Sequence, residues 1–164
     1  MGVDLGDLRS IRKALDISQG RMAALLGVST RAIQSYEQGW RTPPATALKL
    51  AAYMLYVRRR SRLASPPAPC WDVHQCDPAQ RADCFAFTSG EGKCCWLVTG
   101  NSCGKQTYNT WKAKLAHCCG CEVVRRWLNA PQPAAGKGAR ATPPAAKAAR
   151  RAADADQAPG PPPA

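Results

Sequence analysis

No stretch of the 164-residue chain approaches the roughly 18 consecutive apolar residues that a membrane-spanning helix requires, because Arg, Lys, Gln or Gly interrupts each apolar run. No membrane partner is therefore expected. The start, Met1 to Asp7, has neither a basic lead-in nor a long apolar core. It does not read as a secretory signal, and a cytoplasmic location is expected. Also missing are a G-x-x-x-x-G-K-S/T loop, a His-Glu-x-x-His pair and a G-x-S-x-G elbow, so nothing points to phosphoryl transfer or hydrolysis and no catalytic residue is assigned. Acidic side chains are scarce: 11 Asp and Glu stand against 23 Lys and Arg, for a net charge of +12. Such a balance turns the chain toward polyanions.

Cysteine is absent before Cys70 and after Cys121, with all nine between them. In a reducing compartment they favour thiolate metal sites or redox chemistry over disulfides. The charge is distributed differently: residues 1–65 hold 11 basic and 4 acidic side chains, 66–129 hold 7 and 5, and 130–164 hold 5 and 2. The last segment has 14 Ala and 8 Pro but no Leu, Ile, Val or aromatic residue. It cannot bury enough to offset its ordering entropy, so a disordered tail is expected over 130–164. Three prolines within Ser65–Pro69 block helix and sheet alike. The expected organisation is a module over 1–62, a Pro-rich linker over 63–69, a Cys-rich module over 70–129 and the tail. Modules of about 60 residues have thin cores, so the first should be compact and helical and the second should need a metal staple.

In the first module Leu5, Leu8, Ile11 and Leu15 recur at helical spacing. Ser18 offers an N-cap to a second helix whose Met22, Leu25 and Leu26 are expected to face inward, and Gly27 gives it a left-handed exit. Ser29 caps a third helix over 30–38, with Ile33 and Tyr36 on its inner face and Gly39 as its stop. A fourth helix should run from 44 to about 60, packing Leu48, Ala51, Leu55 and Met54. Two short helices around a tight turn form a helix-turn-helix, in which the second helix enters the major groove.

The residues Ser18-Gln19, Met22-Ala23, Leu25 to Ser29, Ile33, Tyr36 to Gly39, Arg41 and Pro43-Pro44 resemble the Cro and phage-repressor type of helix-turn-helix domain, the XRE family. The resemblance implies an all-α, lambda-repressor-like domain of four to five helices that binds double-stranded DNA. It assigns Gln19 to a phosphate and a neighbouring side chain, Thr30, Arg31 and Ser35 to base edges, Gln34 and Arg41 to phosphate, with Ser29 at the head of the reading helix. It also pairs Arg12 with Glu37 between helices one and three. Arg31 is the principal candidate for reading sequence, since a guanidinium fork matches the two acceptors of guanine. Trp40 is expected to pack. The cluster Arg58 to Arg62 is either a set of phosphate contacts or a solvated helix end. One such domain reads about one half-site, so a homodimer on DNA is expected.

In the second module Cys118-Cys-Gly-Cys121 is a C-x-x-C, and Cys70-Trp71 leading to Cys76 is echoed by Cys95-Trp96 leading to Cys103. With Cys84 between them, these elements look like the two-CW domain of bacterial regulators, so a small Cys-rich irregular domain is expected. The matching residues, Cys70, Cys76, Cys84, Cys95, Cys103, Cys118 and Cys121, are the candidate metal ligands; Cys94 and Cys119 are extras. Seven thiols exceed one tetrahedral zinc site by three, leaving zinc with spare thiols, an iron-sulfur cluster, or a metal plus a redox pair. His74 and His117 are expected outside the ligand set, and Lys112 and Lys114 as solvated neighbours of a packed Trp111. The resulting reading is a non-enzymatic transcriptional regulator with a metal-binding sensor or stabilising module. The alternative is a thiol redox protein or electron carrier working through the C-x-x-C, with the helical domain as an interaction module.

Overall fold

The computed structural model describes residues 2–61, 63, 65, 68–103 and 106–129; the expected tail over 130–164 and Arg62 lie outside the described residues. Four helices lead: α1 (Leu8–Ala14), α2 (Gln19–Leu26), α3 (Thr30–Glu37) and α4 (Ala45–Arg60). The first three start at side-chain caps. Asp7 accepts from the amides of Arg9 and Ser10, Ser18 from Arg21 and Ser29 from Ala32, all at 3.1 Å, each meeting a donor that the helix itself leaves unpaired. Gly27 closes α2 at φ +68°, and Gly39 turns the chain after α3 at φ +77°, conformations that suit a residue without Cβ.

Two expectations need correction in this region. The first helix is shorter than its apolar pattern, with Leu5 and Leu15 outside it, although both are buried beside Leu8 and Ile11; the pattern reports the buried face, not the helix ends. Leu25 is 38% exposed. A two-turn helix has one inward face, and Met22, Ala23 and Leu26 occupy it.

The cysteine-bearing segment is built from short pieces: α5 (Cys70–Val73), α6 (Pro78–Ala82), α7 (Phe85–Thr88), a 3-10 turn over Cys95–Leu97, and an antiparallel hairpin of β1 (Ser102–Cys103) and β2 (Gln106–Thr107). Ser102 pairs with Thr107 and Cys103 with Gln106. Two longer helices, α8 (Trp111–Cys118) and α9 (Glu122–Leu128), close it. This segment does not have a core to itself. Trp96, Trp111, Leu115, Val124 and Trp127 join the buried cluster that contains Leu8, Ile11, Ile33 and Leu55. Tyr56 on α4 is the junction, its ring edge-on to Trp96 at 6.0 Å and to Trp127 at 5.4 Å, a preferred geometry for aromatic pairs. A smaller cluster of Cys70, Ala86, Cys95 and Val123 lies under Trp71 and Val73.

The end of α4 resolves the role of three of its arginines. Arg58 donates to the Leu15 carbonyl at the end of α1, and the buried Arg59 donates to the Leu128 carbonyl at the end of α9. Arg60 lies over the Tyr56 ring at 5.6 Å. These cations hold helix ends and an aromatic face within the fold.

Between α1 and α3, Arg12 donates from Nε to Glu37 Oε1 at 2.5 Å and from Nη2 to Oε2 at 2.9 Å, and its Nη1 donates to the Ile17 carbonyl at 2.9 Å. Gln19 Nε2 adds a bond to Glu37 Oε2 at 2.9 Å. The Arg12 hydrogen bond, opposed by burial, holds the Glu37 carboxyl below the usual carboxylate range. A carboxyl whose pKa is lowered by folding stabilises the fold above its unfolded value of about 4.3, and that stabilisation is lost as pH falls through the folded value. Unfolding free energy should therefore decline on acidification below about pH 4. Glu37→Gln should flatten that decline and cost about 3–5 kcal/mol at neutral pH, by leaving a buried guanidinium without its anion; equal acid sensitivity in the variant would refute this role.

Candidate functional site

Two surfaces carry chemistry. On the first, α2 braces α3, and Thr30, Arg31 and Gln34 stand exposed along α3 while Ser35 is half-buried. The Ser35 carbonyl accepts from the amides of Trp40 and Arg41 at 3.0 and 3.3 Å, which ties the following loop to the helix. Ser29 uses its hydroxyl on the Ala32 amide, and the half-buried Gln19 is engaged with Glu37. Arg41 is exposed. Trp40 corrects its expectation: it is 76% exposed rather than packed. Gly39 swings the chain outward, and Ile33 and Leu48 already fill the core nearby. With Glu37 turned inside, residues 29–44 present Arg31 and Arg41 to solvent and no exposed acidic side chain.

The second surface is the thiol cluster. Cys70 on α5 and Cys95 on the 3-10 turn, the leading residues of the two Cys-Trp elements, are both buried and act on each other. That contact holds the Cys70 thiol down and pushes Cys95 up. Cys70, Cys76, Cys84, Cys95, Cys103 and Lys114 line one cavity of about 20 Å³. Cys121 opposes the ionisation of Cys103 by charge, and Cys103 in turn opposes that of Cys118. Burial raises Cys76 and Cys103, and it pushes Cys118 up to about 12. The two extra cysteines lie elsewhere: Cys94 has Tyr56 beside it, and Cys119 has Asp4 as its charged neighbour.

Lys114 was expected in solvent and is instead 1% exposed. The period of α8 puts it on the inner face with Trp111, Leu115 and Cys118. Among the described residues its ammonium meets no carboxylate; it lies over the Tyr108 ring at 5.7 Å and favours the ionised forms of Cys70, Cys95, Cys103 and Cys118. A buried ammonium requires an anion, and the surrounding groups that can ionise to supply one are thiols.

The histidines also sit closer than expected. His74 Nε2 is 3.3 Å from Cys121 Sγ, and His117 Nε2 is 3.4 Å from Cys103 Sγ. Ligand atoms of His74, Cys103 and His117 all fall within 4.8 Å of one another, close enough to hold a metal ion. Burial, then repulsion by His117 and Lys114, lowers the His74 pKa and keeps its imidazole neutral. Sequence spacing gave no sign of this, because residues 74, 103 and 117 meet only when α5, β1 and α8 pack.

Residues 8–54 match the helix-turn-helix family model, so α1 to the larger part of α4 form a helix-turn-helix domain. No curated protein and no solved structure matches the chain. No helix among the described residues is long and apolar enough to cross a membrane.

The floor of the thiol cluster depends on Gly92. Its carbonyl accepts from the Cys70 amide at 3.1 Å, and a Cβ added there would stand 2.5 Å from Trp71 Cζ3 and 2.8 Å from the Pro69 side chain. Overpacking of this kind costs about 1–3 kcal/mol. Gly92→Ala should lose about that much in denaturant unfolding and change the near-ultraviolet signal of Trp71; an unperturbed variant would contradict the contact.

Proposed function

We propose, from the premise that residues 8–54 form a helix-turn-helix domain of the XRE type, that the protein is a sequence-specific regulator of double-stranded DNA whose cysteine cluster holds a metal centre. The DNA reading rests on the exposed row Thr30, Arg31, Gln34 on α3, followed by Arg41. Thr30 and Arg31 face base edges with Ser35 beside them; Gln34, Arg41 and Gln19 meet phosphates; and Ser29 starts the helix. Trp40, exposed rather than packed, flanks the same backbone. One domain covers one half-site, and two copies supply useful specificity. Leu50, Tyr53 and Val57, at helical spacing on α4 and exposed, favour a second copy of the chain, and a footprint of a single half-site would exclude it.

The metal reading is carried by one observation: Lys114 is buried against thiols and has no carboxylate partner among the described residues. Cys70, Cys76, Cys84, Cys95, Cys103, Cys118 and Cys121 would hold the centre, zinc as a staple or an iron-sulfur cluster as a redox or metal sensor. A dithiol enzyme is disfavoured, since an activated C-x-x-C needs a lowered thiol pKa and burial moves Cys118 the other way.

Salt-dependent binding to a panel of duplexes tests the first surface. Arg31→Ala should lose about 1–3 kcal/mol on the preferred site and little on others, while Arg41→Ala should weaken all sequences alike and lower the salt slope by about one; unchanged site preference in Arg31→Ala would overturn the assignment. Anaerobic purification with metal and sulfide analysis tests the second. Lys114→Met should lower metal affinity about 10–100-fold, and a metal-free, fully folded wild-type protein would refute the centre.

A further inference from the structure

We infer that His74, Cys103, His117 and Cys121 bind one zinc-class divalent cation as a His2Cys2 set, separate from the Cys70 and Cys95 pair. The inference rests on the proposed metal centre and assigns its ligands. Four independent pieces of chain supply the donors: His74 caps α5, Cys103 ends β1, His117 lies in the last turn of α8 and Cys121 caps α9. In a tetrahedral zinc site with zinc to nitrogen near 2.0–2.1 Å and zinc to sulfur near 2.3 Å, neighbouring nitrogen and sulfur ligands lie about 3.5 Å apart. The two nitrogen-to-sulfur separations here are 3.3 and 3.4 Å, and His74, Cys103 and His117 form a mutual set within 4.8 Å. Cys121 Sγ lies 3.3 Å from His74 Nε2 but outside that mutual set, and it completes the tetrahedron by turning toward the ion.

The rings are held for this task. His117 stacks on Tyr108 at 4.8 Å with 22° between planes, and it stacks with His74 at 6.0 Å and 29°. A ligating imidazole has its orientation fixed by neighbours of this kind. Two imidazoles and two thiolates make a dication site neutral, and the buried Lys114 lines the same cavity as His74 and Cys103. This division also accounts for the surplus of thiols: Cys103 and Cys121 leave the seven, and of the remaining five Cys70, Cys76, Cys84 and Cys95 line the cavity.

The test uses the full chain purified with its native metal. Zinc-edge X-ray absorption should show a mixed nitrogen and sulfur shell with imidazole scattering, and Co(II) titration of His117→Ala should show loss of one tetrahedral equivalent or binding weakened by more than about 100-fold. Because absorption is read on the wild-type protein, the result stands even if the variant does not fold. An all-sulfur shell, or iron in place of zinc, overturns the His2Cys2 assignment while leaving a metal centre in place; a wild-type chain that binds no metal overturns both.

Discussion

The packing of Tyr56 against Trp96 and Trp127 is the contact on which the rest of the structure depends. Without it, the far side of α4 would expose its apolar face, and the cysteine-bearing segment would lose its largest buried side chains. Fully burying an aromatic of this size contributes about 1.5–3 kcal/mol, and edge-on pairing adds about 0.5–1.5 kcal/mol per pair. Short helices of four or five residues are not stable in isolation, so α5 and α7 persist because Cys70 and Ala86 pack with Val123 of α9 in the smaller cluster. Arg59, reaching the end of α9 from α4, fastens the same seam.

This arrangement gives a physical route between the two surfaces. The helix bearing Tyr56 begins just after the loop of Trp40 and Arg41, and it ends beside α9, whose cap is Cys121. On the proposed reading, a change in the ligation of the thiol cluster acts on α8 and α9, whose Trp111 and Trp127 belong to the same buried cluster as Leu8 and Ile11 of α1 and Ile33 of α3. On that reading, the state of the centre is therefore felt by the residues that position α3, with no separate relay required.

Much of the helix-turn-helix was legible because its signals are local. Ser18, Ser29, Gly27 and Gly39 act within one turn of their own position, and helical periodicity identified Ile33, Leu48, Ala51 and Leu55 as core. What could not be read depends on tertiary neighbours. Leu25 and Trp40 looked buried by type but lost their places to Met22, Leu26, Ile33 and Leu48. Lys114 looked solvated by type, yet helix phase placed it among thiols. The Arg58 to Arg60 run was ambiguous until the carbonyls of Leu15 and Leu128 were seen to lie within its reach. In the candidate metal site the cysteines were named from their pattern, but the histidines were set aside, since nothing along the chain brings residues 74, 103 and 117 together.

Native-state hydrogen exchange tests the central claim most directly, that the helix-turn-helix and the thiol cluster belong to one folded unit. Amides of α4 around Tyr56 and of α9 around Trp127 should open with the same free energy and the same denaturant dependence, as one cooperative unit does. Opening of α5 to α9 at lower free energy, with α1 to α4 still fully protected, would contradict the account.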